Sequence, residues 1–209
     1  MKKTPQRACV IDVLSQRNKD FIIKYMQEKF GESFLQQITV FSCDMWDGFI
    51  SVAKERMPNA VIVVDRFHVS NHINTALDRC RKSLRKEFPD EVRLKYLRWA
   101  LLKHPDKLYD DEKQLLEKAF KCSPELEKVY QLKEEFRAIF DEMLERDEGE
   151  NRLNAWIEKA EALNNVYVKL FLKTLKNYKE YILNFFINRV SNGIVEGINN
   201  RVKFLKRQG

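Results

Sequence analysis

The strongest constraint on the fold is an alternation of short apolar runs with helical patterns early in the chain. Runs rich in Val and Ile occur at 8–14 (ACVIDVL), 38–43 (ITVFSC) and 60–64 (AVIVV), and the third is continuous, as in a strand buried on both faces. Helical patterns fill both intervals, the first with Asn18 as a plausible N-cap. The order strand, helix, strand, helix, strand predicts an α/β layer with parallel pairing.

After Asp65 the composition becomes that of an all-helical block. Glycine almost vanishes, Lys, Glu and Leu dominate, and helical periods follow one another without a low-complexity linker. This pattern predicts a helical block inserted into the α/β unit rather than tethered to it. Breaks between helices are expected at Pro89, Pro105, Pro124 and Gly149.

Aromatic residues within this block are predicted to be mainly core residues. The segment 166–186 carries too many apolar positions for a fully exposed helix, so we expect it to supply much of the contact with the core. Trp99 and Trp156 are predicted to pack in the core, with stacking on a displaced DNA base as the alternative.

Charge and cysteine usage narrow the class of protein. The net charge of +7 and the pI near 9.1 favour a polyanionic partner such as nucleic acid. The four cysteines form no C-x-x-C pair, so neither a zinc ribbon nor a disulfide framework is indicated, and a reducing cytoplasm is the expected setting. No apolar stretch approaches the roughly 20 residues that span a bilayer, and a signal peptide is not expected.

Two acidic residues follow predicted strands, where open α/β sheets place their ligand sites. Asp44 closes the run 38–43 and Asp65 closes the run 60–64. For each aspartate the alternative is a helix N-cap without further function.

A third acidic residue, Glu196, lies in the final helical pattern. The polar residues there recur every three or four positions, on the face opposite the apolar one. They are Asn192, Glu196, Asn199, Lys203 and Arg207. An ordinary solvated face is the alternative, but Gly193 and Gly197 favour close packing against a neighbour. Three carboxylates without a cysteine pair indicate Mg²⁺ or Mn²⁺.

The string VVDRFHVSNH is the most distinctive in the chain. His68 and His72 lie four residues apart on one predicted helix face beside Asp65, which raises the alternative of a zinc site. The further ligands that zinc needs are missing at a recognisable spacing. A hydrogen-bonding or phosphate-contacting histidine, or a plain buried one, fits the pattern as well.

The ordered segments CVIDVL, FSCDMWDGF, PNAVIVVDRFHV and SNGIVEGINNRVKFLKR resemble bacterial insertion-sequence transposases of the ISL-three type. These are DDE transposases with a ribonuclease-H-like fold, and the resemblance covers nearly the whole chain. It implies that Asp44 and Glu196 are catalytic and bind the metal ions, and that the enzyme cuts and joins DNA with Mg²⁺ or Mn²⁺ in a two-metal site. It places four residues near the site: Asp65, His68, Asn192 and Asn199.

The resemblance also marks a departure at the first catalytic aspartate. That residue belongs on the first strand of the ribonuclease-H-like sheet, whereas the run 8–14 resembles the third strand. Asp12, within that run, matches a noncatalytic position. We therefore expect a catalytic-domain fragment that lacks activity alone.

The expected fold is α/β, a truncated ribonuclease-H-like sheet with a large all-α insertion, mostly helical overall. The expected domains are 1–75 for the α/β part, 76–188 for the insertion and 189–209 for the returning catalytic helix. DNA at transposon ends and targets is the expected partner, and a homo-oligomer is possible.

Basic residues on two helices are expected to neutralise DNA phosphates without reading sequence. They are Arg79, Arg81, Lys82, Arg85, Lys86, Arg201, Lys203, Lys206 and Arg207. Two alternatives from other classes are a noncatalytic DNA-binding remnant and a helical interaction module built on residues 76–188.

Overall fold

The computed structural model describes residues 10–88 and 94–189, together with Gly197, Phe204 and Arg207. Two strands and a series of helices make up the described ranges. In chain order they are α1 (Lys19–Leu35), β1 (Val40–Cys43), α2 (Asp47–Arg56), β2 (Val61–Val64), α3 (Arg66–Ser83), α4 (Leu94–Leu102), α5 (Asp110–Cys122), α6 (Pro124–Asp141), α7 (Arg146–Ala162), α8 (Val166–Leu183) and α9 (Phe185–Asn188), with short 3₁₀ turns at Arg85–Glu87 and Pro105–Lys107.

The two predicted strands before Asp44 and Asp65 are present and pair in parallel, as the alternation predicts. Val40 stands opposite Val61, and Cys43 stands opposite Val64. The fold is mostly helical with this small parallel sheet, which is consistent with the α/β class. Ile62, Val63 and Val64 are buried, because helices cover the sheet.

The expected strand at 8–14 is wrong for its described part, residues 10–14. Val10, Ile11 and Val13 are exposed and belong to no strand. The physical reason lies at Asp12, whose carboxylate accepts hydrogen bonds from Tyr25 and Lys29 of α1. The segment is therefore bound to a helix through a side chain instead of to β1 through its backbone.

Helix α1 begins where the sequence predicts. The side chain of Asn18 accepts a hydrogen bond from the backbone N–H of Phe21 at 2.8 Å, as an N-cap does. At Gly31 the backbone takes φ +73°, which interrupts the helix and which a residue with a Cβ rarely adopts. Helix α1 then packs on α2 through a small cluster that includes Ile22, Val52 and Met57.

The helical block is centred on aromatic residues. Phe136 of α6 has its ring centroid 4.9 Å from that of Trp156 on α7 and 5.4 Å from that of Phe171 on α8. Trp156 is buried, as predicted. Its indole N–H donates to the backbone carbonyl of Leu132 at 2.9 Å, which satisfies the polar atom of the ring.

The expectation that Trp99 is a core residue is wrong, because its side chain is exposed. Helix α4 buries Leu97, Ala100 and Leu101, and this choice of face leaves Trp99 on the opposite side. The guanidinium of Arg98 lies 5.1 Å from its ring centroid, so the ring is covered by a cation rather than by the core.

Two of the four expected helix breaks are observed and one is wrong. Pro105 starts a 3₁₀ turn and Pro124 is the first residue of α6, while Pro89 lies outside the described residues. Gly149 lies inside α7 and is buried. A Cβ on Gly149 would lie 2.7 Å from the ring of Phe186, so the glycine allows a close approach instead of ending the helix.

Helix α8 joins the block to the sheet, as expected of segment 166–186. It packs on α3, α7 and β2. At its C-terminal end, Asn184 Nδ2 donates to the carbonyl of Ile62 in β2 at 2.8 Å. Helix α3 crosses residues 75 and 76 without a break, and the division of the chain at 76 and 189 stays a prediction. Within the described ranges, none of the helices combines the length and the apolar character needed to cross a bilayer.

Candidate active site at the carboxyl edge of the sheet

Asp44 and Asp65 lie beside each other at the carboxyl edge of the sheet. Each follows directly on a strand, and the last paired residues of those strands are Cys43 and Val64. The backbone N–H of Asp65 donates to the carbonyl of Cys43 at 3.0 Å, which extends the ladder by one bond. Parallel strands therefore deliver both acidic residues to the edge where such sheets bind ligands.

The carboxylate of Asp44 does not cap a helix. Helix α2 has Trp46 as its N-cap residue, with no side-chain hydrogen bond there. Instead, Asp44 Oδ1 lies 2.8 Å from Nε2 of His68, on the first turns of α3. The Asp44 side chain is 35% exposed, so solvent or a ligand can reach it. The N-cap alternative is therefore excluded for Asp44 in this structure.

A cation missed by the sequence analysis also approaches Asp44. Arg17 Nη2 lies 4.0 Å from Asp44 Oδ2. Its guanidinium stacks on Trp46, 4.9 Å from the ring centroid, and on Phe49 at 5.1 Å. Arg17 stands in a segment without helical or strand pattern, so only the aromatic pair in CDMWDGF hinted that a cation would pack there.

Asp65 has a different environment from Asp44. It is fully buried, and its Oδ1 accepts from the backbone N–H of Phe67 at 3.3 Å as the N-cap of α3. Its Oδ2 is buried without a hydrogen-bond partner in the structure. A buried carboxylate oxygen without a partner is costly, which marks Asp65 as more than a simple cap.

The histidines of the VVDRFHVSNH string do not form a zinc site in the described residues. Nowhere in that part of the chain do three His, Cys, Asp or Glu side chains gather closely enough to hold a metal ion. Burial and the nearby Asp44 charge raise the pKa of the Cys43 thiol to about 12, so it stays protonated and is a poor ligand. Asp44 and His68 alone give an incomplete donor set for a divalent cation.

The basic residues predicted on α3 differ in accessibility. Arg79 is exposed, and Lys82 is exposed with its Nζ 2.9 Å from Asp78 Oδ2. Arg81 is buried and donates to Asp78 Oδ1 at 2.8 Å, because it lies on the core side of α3. Arg81 is thus placed to hold Asp78, and its contact with DNA stays a prediction.

Most predicted residues of the final helix lie outside the described part of the chain. They are Asn192, Glu196, Asn199, Arg201, Lys203 and Lys206. Arg207 is described and exposed. The predicted convergence of Asp44 and Glu196 therefore stays a prediction.

Comparison with known proteins identifies the family of the chain. The DDE_Tnp_ISL3 family model, described as transposase, matches residues 2–209. The transposase for insertion sequence element IS1001 of Bordetella parapertussis is 30% identical over 187 residues, covering 87% of this chain and 46% of that protein. The transposase for insertion sequence element IS1557 of Mycobacterium tuberculosis is 28% identical over 206 residues, covering 86% of this chain and 46% of that protein.

The chain spans about half the length of the curated relatives it matches. No solved structure matches it. Because the family model extends over nearly every residue, the chain belongs to the DDE_Tnp_ISL3 family of transposases.

Proposed function

We propose that this chain supplies Asp44 and Glu196 to the active site of a DDE transposase that cuts and joins DNA strands on a ribonuclease-H-like sheet. The observation that carries the proposal is the placement of Asp44. Its carboxylate is accessible, caps no helix, and stands at the carboxyl edge of two parallel strands beside Asp65. The family match over residues 2–209 supports the assignment of strand cleavage and transfer to this site.

Asp44 and Glu196 are the residues that would hold Mg²⁺ or Mn²⁺, since carboxylate oxygens suit these hard cations. When bound, such ions lower the pKa of an attacking water or hydroxyl and neutralise charge on the phosphodiester.

The neighbours of Asp44 support this role. His68 approaches Oδ1 and fixes the direction of the carboxylate, while Arg17 stands 4.0 Å from Oδ2 and balances its negative charge. Both partners are partly exposed, so Arg17 can move away from Oδ2 without unfolding the core, and Asp44 would then be free to hold a metal ion. Asp65, buried below the edge, holds the start of α3 and thereby the position of His68.

Asp12 does not supply the third carboxylate of the triad. Its oxygens are bound by Tyr25 and Lys29, and the Lys29 hydrogen bond holds the pKa of Asp12 well below its ordinary value. A two-metal site would need a further carboxylate beside Asp44 and Glu196. We therefore expect the 209-residue chain to bind DNA but to show negligible strand cleavage by itself.

The test uses the purified chain with a DNA that mimics a transposon end, in Mg²⁺ or Mn²⁺ and over a salt series. We expect binding that weakens steeply with salt, because contacts to phosphates release counterions. Absence of DNA binding at low salt would refute the proposed function. Asp44→Asn and Glu196→Gln serve as active-site variants, with Asp111→Asn on the exposed start of α5 as the matched control.

Cleavage in the same assay has a separate meaning. If the chain cuts DNA and Glu196→Gln abolishes the cutting, the site is complete without a further carboxylate, and the expectation of an inactive chain is wrong. If cutting persists in both active-site variants but is lost with substitutions elsewhere in the chain, the reaction takes place away from Asp44. The noncatalytic remnant would bind DNA equally in all variants and would show no effect of either substitution on Mn²⁺ binding.

A further inference from the structure

A groove of about 510 Å³ runs between α3 and α8 and begins at His68, the residue that contacts Asp44. From α3 it is lined by Asn71, His72, Thr75 and Arg79, and from α8 by Tyr167 and Lys173. The residues on α3 recur every three or four positions, which puts them on one face of the helix. The groove therefore extends from the candidate active site along the length of α3.

This polar face of α3 is not required by the core. The opposite face of the helix buries Val69, Ile73 and Leu77, which already account for its packing. Thr75 is exposed, and its hydroxyl donates to the carbonyl of Asn71 at 2.7 Å within the helix. The donors and acceptors along the groove thus face an opening that no other described side chain fills.

The charges of the groove all have one sign. Arg79 and Lys173 line it, and no acidic residue is among its described lining residues. None of the ion pairs in the described ranges involves either cation. On the same helix, Lys176 binds Glu161 and Lys179 binds Glu150, both within 3 Å. Lys173 therefore differs from Lys176 and Lys179, since it presents an uncompensated charge to the groove.

The remaining lining suits a nucleic-acid strand better than a simple anion. Tyr167 is half-buried with its ring on the groove wall, and Leu170 beside it is exposed. A flat ring with an apolar neighbour can contact a sugar or stack on a base, whereas the cations contact phosphates. Partial burial and the nearby His68 lower the pKa of His72, which favours the neutral ring and its hydrogen bonds over a positive charge.

We infer that the groove between α3 and α8 holds the backbone of one DNA strand and leads it to Asp44. Arg79 and Lys173 neutralise successive phosphates, and Tyr167 contacts a sugar or base between them. The inference rests on the proposed function, since it names the path of the DNA strand that this function requires. Helix α8, whose apolar pattern predicts only a core helix, is the second wall of the path.

The test compares two double variants that remove the same charge. Arg79→Gln with Lys173→Gln changes the groove, and Lys118→Gln with Lys121→Gln changes exposed lysines on α5, which packs on α4 and α6 instead. Fluorescence anisotropy with a labelled single-stranded DNA gives the affinity across a salt series. We expect the groove variant to lose about tenfold or more in affinity and its log–log salt slope to fall by about 1.4.

The control variant is expected to bind within about twofold of the unmodified chain. Equal losses of DNA affinity in both double variants would show that only net charge matters. That result would overturn the inference that the groove holds a DNA strand. If the unmodified chain fails to bind DNA at all, the proposed function fails instead. A groove variant that loses affinity for duplex DNA alone would contradict the assignment of a single strand.

A second measurement locates the strand without relying on substitutions. Single-stranded DNA carrying 5-iodouracil is irradiated in complex with the unmodified chain, and the crosslinked peptide is identified by mass spectrometry. We expect a crosslink at Tyr167 or His72, whose rings line the groove. Crosslinks confined to helices away from α3 and α8, or competition by an acidic peptide as strong as by DNA, would overturn the inference.

Discussion

The carboxyl edge of the sheet and the helical block differ in the exposure and pairing of their side chains. In the block, Phe136 packs among Trp156, Phe140 and Phe171, all buried, and even the indole N–H of Trp156 has a partner. At the sheet edge, Asp44 is partly exposed and Asp65 keeps one buried oxygen without a partner. The block therefore provides stability, whereas the edge of the sheet retains polar groups that folding alone does not need.

Helix α8 makes the two regions depend on each other. Asn184 donates to Ile62 in β2, and Tyr178 donates to Asp47 Oδ1 at 2.7 Å at the start of α2. Burial and this hydrogen bond raise the pKa of Tyr178 to about 12, so the phenol keeps its proton and the bond persists at physiological pH. A loss of packing in the block should therefore reach the sheet edge through α8.

The largest effect is expected from Phe136→Ala in the block. Removing a buried phenyl ring that contacts three other rings should lower the free energy of unfolding by about 3 to 5 kcal/mol. Urea denaturation measures the change, with Phe34→Ala on the exposed end of α1 as the control. Similar small losses in both variants would show that the aromatic cluster is not the stabilising core.

The next effect concerns Lys133, a buried lysine of α6 whose Nζ donates to the carbonyl of Leu101 at 2.7 Å. Burial lowers the pKa of Lys133 from 10.5 to about 8. Between these two pKa values the unfolded chain binds the Lys133 proton more tightly than the folded protein does. The free energy of unfolding therefore rises as the pH increases from 8 towards 10.5, and Lys133 adds no pH dependence below 8.

The rise due to Lys133 is at most about 3 to 4 kcal/mol, because each pKa unit corresponds to about 1.4 kcal/mol. Chemical denaturation of the unmodified chain and of Lys133→Met across this pH range isolates the contribution of Lys133, since the other groups titrate in both proteins. The difference between the two stabilities should grow in favour of the unmodified chain as pH rises. A difference independent of pH would show that Lys133 stays charged in the folded protein.

A smaller loss is expected from Gly149→Ala in α7. Alanine favours a helix by about 1 kcal/mol over glycine, but its Cβ would lie 2.7 Å from the ring of Phe186. Phe186 is buried and cannot move away freely, so we expect a net loss of about 1 to 2 kcal/mol. Thermal unfolding measures the change in stability. A gain in stability would show that the Phe186 ring moves away from the new Cβ at little cost. Gly149→Ala combined with Phe186→Leu should recover part of the loss.

The smallest effect is expected at the sheet edge, where Asp65 caps α3. Asp65→Ala removes the cap and should lower stability by about 1 kcal/mol, whereas Asp65→Asn keeps the accepting oxygen and should stay close to the unmodified chain. Chemical denaturation at pH 7 compares them. If Asn is as damaging as Ala, the carboxylate charge of Asp65 matters to the fold beyond the cap.

The sequence predicted the elements whose signals are local. The structure confirms the short apolar strands before Asp44 and Asp65, the N-cap at Asn18 and the helix start at Pro124, because pattern and capping depend on near neighbours. The misses depended on distant partners. Periodicity could not show that Asp12 would bind α1 or that Gly149 would lie against Phe186, thirty-seven positions away by sequence number.

The candidate site divides in the same way. The resemblance placed Asp44, Asp65 and His68 together, and the structure brings Asp44 and His68 into contact. The resemblance could not place Arg17, whose position depends on the Trp46 and Phe49 rings. It also could not place Lys173 across the groove from Arg79. These contacts arise from packing between elements, for which one sequence carries no periodic signal.

The proposed function requires that Asp44 and Glu196 hold a metal ion together, and the affinity of the chain for Mn²⁺ measures whether they do. Mn²⁺ affinity is measured by electron paramagnetic resonance for the unmodified chain, Asp44→Asn, Glu196→Gln, the double variant and the control Asp111→Asn. If one ion bridges both carboxylates, each single substitution should weaken binding about tenfold or more, and the double variant should lose little beyond that because the two effects are not additive. Unchanged affinity in either single variant, or losses that simply add, would contradict a shared ion.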